Sequence, residues 1–113
     1  MAQDTVKTEL IGGVDQLTIN KWKKQYGKLK LVTLGQEEGE PIYFWFKKPD
    51  EKIFSAFVRI AKNDEFAGLQ MLFRNCLLNQ EQVEMANDPE VMISVGEHLS
   101  ALVKKRPATS QDF

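Results

Sequence analysis

Apolar positions along this chain switch repeatedly between helical and extended spacing, and the switches mark its elements. Ile19, Trp22 and Tyr26 recur at three- and four-residue steps, the spacing of one helix face. Thr18 offers an N-cap before them and Gly27 a left-handed residue after them, which predicts a short helix of about two turns. From Lys28 to Leu34 the run KLKLVTL alternates, and from Ile42 to Phe46 the run IYFWF is almost wholly strand-favouring. The intervening GQEEGEP, with Gly35 and Gly39, predicts an antiparallel hairpin with a loop longer than the tightest turns.

Helical spacing then returns. Pro49-Asp50 suits the first turn of a helix whose apolar face is Ile53, Phe54, Phe57, Val58, Ile60 and Ala61. Asn63-Asp64 breaks and recaps the chain, and Phe66, Leu69, Leu72, Phe73, Cys76 and Leu77 form a second helix, apolar around much of its circumference and therefore central. Residues 79 to 87 are polar and weakly patterned, which predicts a loop with one irregular turn. Asp88-Pro89-Glu90 opens a last helix with the stripe Met92, Val95, Leu99 and Leu102; Lys104, Lys105 and Arg106 complement its negative end, and Pro107 stops it. The expected organisation is a flexible arm over residues 1–17, one α+β domain over 18–106 and a flexible tail over 107–113. Its element order is α-β-β-α-α-α, an antiparallel β-hairpin packed against about four helices.

Composition narrows the class. A chain of 113 residues, 42% hydrophobic and 27% charged, has enough apolar content for a core without metal or disulfide support. Fifteen basic and sixteen acidic side chains give a net charge of -1, which does not draw the whole molecule to nucleic acid or anionic membrane. The lone cysteine, Cys76, points to a reducing compartment, and the N-terminal residues have neither a secretory leader nor a membrane span; a cytoplasmic location is expected.

Chemistry is sparse. One histidine, His98, and one cysteine on different predicted helices do not make a metal site, and the apolar setting of Cys76 is that of a small buried hydrophobe, not an activated thiol. Gly12-Gly13 and the Gly35/Gly39 pair match no phosphate-binding loop. Glu37, Glu38 and Glu40 read as a hairpin tip and Asp64-Glu65 as a helix start. The best basic patch, Lys21, Lys23, Lys24, Lys28 and Lys30 around Trp22 and Tyr26, combines phosphate-binding charge with stacking surface. Yet both aromatics share a face with Ile19, which turns them to the core and makes the lysines a solvated side. The expectation is a binding module, not an enzyme, with no cofactor.

The second strand carries the strongest candidate surface. Ile42, Phe44 and Phe46 point one way and Tyr43 and Trp45 the other, so both faces are aromatic. The Tyr43/Trp45 face either meets a partner or a second copy, or is covered by the first helix or the N-terminal arm.

The order of segments resembles the small tail assembly chaperones of tailed bacteriophages and related prophage proteins, over roughly residues 18 to 106. The matching parts are WKKQYGK with Trp22, Tyr26 and Gly27, the YFWFKKP strand-to-helix entry ending at Lys48-Pro49, and Asn75-Cys76 before the polar loop. The resemblance implies a cytoplasmic assembly factor that keeps a long, apolar, helical tape measure protein soluble until the tail tube forms; it implies no active-site residues. A groove for such a client would be lined by Tyr43, Trp45, Phe54 and Phe57, with Met71, Met85 and Met92 as adaptable lining. The competing readings are a structural virion component, such as a tail or head-completion protein, and a small nucleic-acid-binding regulator. A homo-oligomer is compatible with any of them.

Overall fold

A computed structural model describes residues 10–103 and 108–113. The expected charges and stop at Lys104, Lys105, Arg106 and Pro107 lie outside the described residues, as do positions 1–9. Strands β1 (Leu10–Ile11) and β2 (Val14–Asp15) are followed by helix α1 (Gln16–Tyr26), strands β3 (Leu29–Leu34) and β4 (Ile42–Lys47), and helices α2 (Glu51–Ala61) and α3 (Glu65–Cys76). A 3-10 helix (Gln80–Asn87) then leads into helix α4 (Pro89–Leu102). The fold is α+β.

The expected arm is corrected over residues 10–17. Gly12 and Gly13 both take positive φ, at 56° and 76°, and close a two-residue turn that pairs Ile11 with Val14. Such a turn matches the twist of its strands and is open to glycine at both positions. The hairpin runs straight into α1, whose N-cap is Asp15 and not Thr18: the Asp15 carboxylate accepts the Thr18 N–H at 2.9 Å. Hydrogen bonds from the Thr18 side chain and then its backbone hold the Asp15 carboxyl below its ordinary value. Asp50, Asp64 and Asp88 cap α2, α3 and α4 in the same way, accepting the amides of Ile53, Ala67 and Glu90. Pro49 therefore lies outside α2, not in its first turn, whereas Pro89 occupies the first turn of α4 as expected.

Strands β3 and β4 pair antiparallel, Val32 opposite Phe44 and Leu31 opposite Trp45. One face of this ribbon supplies Val32, Phe44 and Phe46 to the core, where Leu72, Phe73 and Cys76 of α3 and Val95 and Leu99 of α4 meet them. The other face is covered from the opposite side. Trp22 of α1 lies 5.9 Å from Trp45 between ring centroids, and the Trp45 indole N–H donates to the Gly12 carbonyl at 2.9 Å. The small hairpin thus acts as a lid that satisfies a buried indole.

Residues after α3 complete the architecture. The Leu78 N–H donates to the Trp45 carbonyl at 2.7 Å, and the Asn79 side chain accepts the Trp45 N–H and donates to the Tyr43 carbonyl, each at 2.8 Å. Leu77–Asn79 therefore seals the outer edge of β4. The expected loop over residues 79–87 is instead a 3-10 helix that buries Ala86 and is tied back to α3 by Gln70 Nε2 donating to the Ala86 carbonyl at 2.8 Å.

Helices α2 and α3 form a close hairpin at Gly68. A methyl group added there would lie 2.9 Å from Ala61 Cβ, 3.2 Å from Ala61 Cα and 3.2 Å from the Phe57 ring. Helix propensity favours alanine by roughly 1 kcal/mol, but overpacking of this kind costs about 1–3 kcal/mol, so Gly68→Ala is expected to be net destabilising. A thermal melt checks the sign; a raised midpoint would show that the two helices have room to separate.

A candidate protein-binding surface on α2

Helix α2 is the most amphipathic helix of the fold, yet none of its residues is buried. Ile53, Phe57 and Ile60 form one row, half-buried toward α3, its main neighbour. Phe54 and Val58 lie one turn apart, roughly 100° round the helix from that row, and remain 40% and 50% exposed. Gly68 of α3 lies against Ala61 and the Phe57 ring, so Phe57 is turned into the helix–helix contact. Phe66, at the start of α3, is 39% exposed. The hairpin thus presents phenylalanine and valine to solvent on α2, a helix with no buried residue.

The residues anticipated for a groove do not converge. Phe54 and Phe57 lie on α2 and Met71 on α3, with Phe54 exposed and Phe57 and Met71 packed against the core. Tyr43 is half-buried near Gly13, beside a cleft shared with Asn79 and Gln82. Met85 lies in a different cleft, with Leu34, Ile42 and Val91. Trp45 and Met92, at 6% and 1% exposure, are core residues and are corrected as partner-binding candidates. For Trp45, the reading in which helix and arm cover the face is the one the structure bears out. A Tyr43/Trp45 double serine variant would unpack the lid, so it does not test an interface. Val58 and Phe66 were not anticipated as site residues. Their signal was present: the apolar positions of α2 span more of its circumference than one neighbouring helix covers.

The other candidates resolve into structural positions. Burial pushes the Cys76 thiol up to about 11, with Lys47 opposing and Asp50 reinforcing the shift, so the sulfur is a protonated core atom at neutral pH. His98 is exposed on α4, where its carbonyl accepts from Lys30 Nζ at 3.5 Å. Among the described residues, no three of His, Cys, Asp and Glu come together as a metal-binding group. In the basic patch, Trp22 is engaged by Trp45, and the Tyr26 ring has the Lys47 ammonium 4.9 Å from its centroid. Each ring thus already has a partner within the fold on one side. Among the described residues, no helix is long and apolar enough to cross a membrane.

No protein-family model matches the chain, and comparison with curated proteins gave no match. Among solved structures, an uncharacterised protein from Bacillus stearothermophilus is similar, with a TM-score of 0.57 and 21% sequence identity. The similarity covers 83% of this chain and 99% of that one. At that identity the likeness is one of fold: the α+β arrangement described above occurs in a second protein.

Proposed function

We propose that this protein is a non-catalytic protein-binding module that holds an apolar helical segment of a client against the α2–α3 hairpin. The role is that of the phage tail assembly chaperones its sequence resembles, and a tape measure protein is the client in view. The observation that carries the reading is α2 itself, a strongly amphipathic helix that buries none of its residues and leaves Phe54 and Val58 in solvent. An apolar helix laid beside that row would cover it as one helix covers the groove of another. A binding-competent face of this kind sits most readily on an element whose removal from water is incomplete in the free protein.

The test is Phe54→Ser combined with Val58→Ser. Both side chains are substantially exposed, so each change is expected to cost about 0.5 kcal/mol or less, and the melting midpoint should stay close to the parent's. Co-expression with a long helical client should then leave that client in the insoluble fraction, whereas the parent keeps it soluble. A variant that solubilises the client as well as the parent does would sink the proposal.

A further inference from the structure

The two edges of the β3–β4 ribbon are treated differently. On β4, Tyr43 and Trp45 turn backbone groups outward, and Leu78 and Asn79 take them up. In an antiparallel ladder, residues opposite each other turn their groups outward together. Thr33 and Leu31, opposite Tyr43 and Trp45, therefore aim their N–H and C=O groups away from β4, as does Leu29 opposite Lys47. Among the described residues, none of these outward groups has a protein hydrogen-bond partner. Leu31 is also 36% exposed. Among the described residues, the β3 edge is open where the β4 edge is sealed.

Beside the start of this edge lies a cavity of about 210 Å³, whose lining includes Phe46 and Leu102 together with Lys28, Lys30 and Lys48. No carboxylate lines it among the described residues. Lys28, Lys30, Phe46 and Lys48 occupy alternate positions that share one face of the ribbon. A strand added to β3 would direct every second side chain to that same face. The volume is below the roughly 300–1,000 Å³ of small-molecule pockets, and suits a single bulky side chain.

We infer that the β3 edge is a second docking site, independent of the α2 face, which takes an extended acidic segment of a partner protein by strand addition. Backbone bonds to Leu29, Leu31 and Thr33 hold the segment, its carboxylates meet Lys28, Lys30 and Lys48, and one apolar side chain enters the cavity. Charge complementarity selects this occupant over a second copy. In the two-fold register that uses all three outward residues, Leu31 opposes Leu31 and Lys30 of each copy stands diagonal to the other, where like charges at about 7–8 Å repel. Edge lysines discourage self-pairing in this way while leaving the edge open to an acidic strand.

The probe is a blocked peptide in which glutamate alternates with valine around one central phenylalanine, with a lysine-for-glutamate counterpart and a version N-methylated at alternate amides as controls. Binding is followed by fluorescence anisotropy, and amide exchange at Leu29, Leu31 and Thr33 is followed in the full chain. The acidic peptide should bind and protect those amides, and the lysine peptide should not. N-methylation, or Lys28→Glu with Lys48→Glu in the protein, should weaken binding by about tenfold, with the melting midpoint and client solubilisation through α2 unchanged. Failure of the acidic peptide to bind, or binding without amide protection, overturns the proposal. So does protection in the peptide-free protein: if it rises with protein concentration the occupant is a second copy, and if it does not the chain covers its own edge.

Discussion

Replacing Phe73 with alanine is expected to lower the unfolding free energy by about 3–5 kcal/mol. Phe73 is fully buried on α3 and meets two rings of β4 edge-on, Phe44 at 5.2 Å and Phe46 at 5.5 Å between centroids. Edge-to-face pairs add about 0.5–1.5 kcal/mol each beyond area burial, and truncation removes both while leaving a cavity between helix and sheet. A domain of this size has on the order of 5–15 kcal/mol in total, so the variant should be marginal at room temperature. Urea unfolding should show a lowered midpoint with an unchanged slope. Phe73→Leu, which keeps an apolar side chain in place, should recover more than half of the loss. A cost for alanine below about 1 kcal/mol, the scale of an ordinary substitution, would mean that α3 does not anchor the sheet as described.

The centrality of Phe73 was legible in the sequence, because the apolar positions of α3 run round so much of the helix that it had to be enclosed. The β3–β4 pairing was legible for a related reason: alternation in KLKLVTL and the aromatic run IYFWF leave little else for those residues to do. Composition and period were less informative where short polar residues carry the structure. Gly12-Gly13 between LI and VD is a two-residue turn signal, but its strands are two residues each and have no period to read. What orders them is the Trp45 indole, which is far away in the chain and finds its acceptor at Gly12.

The same physics explains the partial success at the candidate surface. Tyr43 and Trp45 alternate with core residues, and alternation alone does not say whether a second layer lies over them. Here the layer is α1 and the arm, and Trp45 became core while Tyr43 stayed half-buried. Met92 sits in the stripe of α4 with Val95 and Leu99, so its own periodicity already argued for burial. Phe54 stayed in solvent while Phe57 turned toward α3, because α2 has few neighbours besides α3, a tertiary fact that no local pattern carries.

Asn79 is the clearest case of a residue whose role only the fold reveals, and Asn79→Ala should cost about 2–4 kcal/mol. The figure follows from two buried groups losing their partners, the Trp45 N–H and the Tyr43 carbonyl, at about 1–3 kcal/mol for each group left unsatisfied. Solvent reaching the carbonyl brings the sum below the full double penalty, since Tyr43 is only half-buried. Asn79→Asp separates the two bonds. An ionised carboxylate still accepts from Trp45 but cannot donate to Tyr43, so this variant should be destabilised at neutral pH. It should regain ground on the parent as the pH falls and the carboxyl acquires a proton to donate. Amide exchange at Trp45 gives a local readout, with protection expected to fall in the alanine variant and persist in the aspartate one. Loss of the clamp also reopens the β4 edge, so the alanine variant should self-associate more readily than the parent as its concentration rises. Unchanged Trp45 protection in the alanine variant would show that Leu77 and Leu78 seal this edge without Asn79.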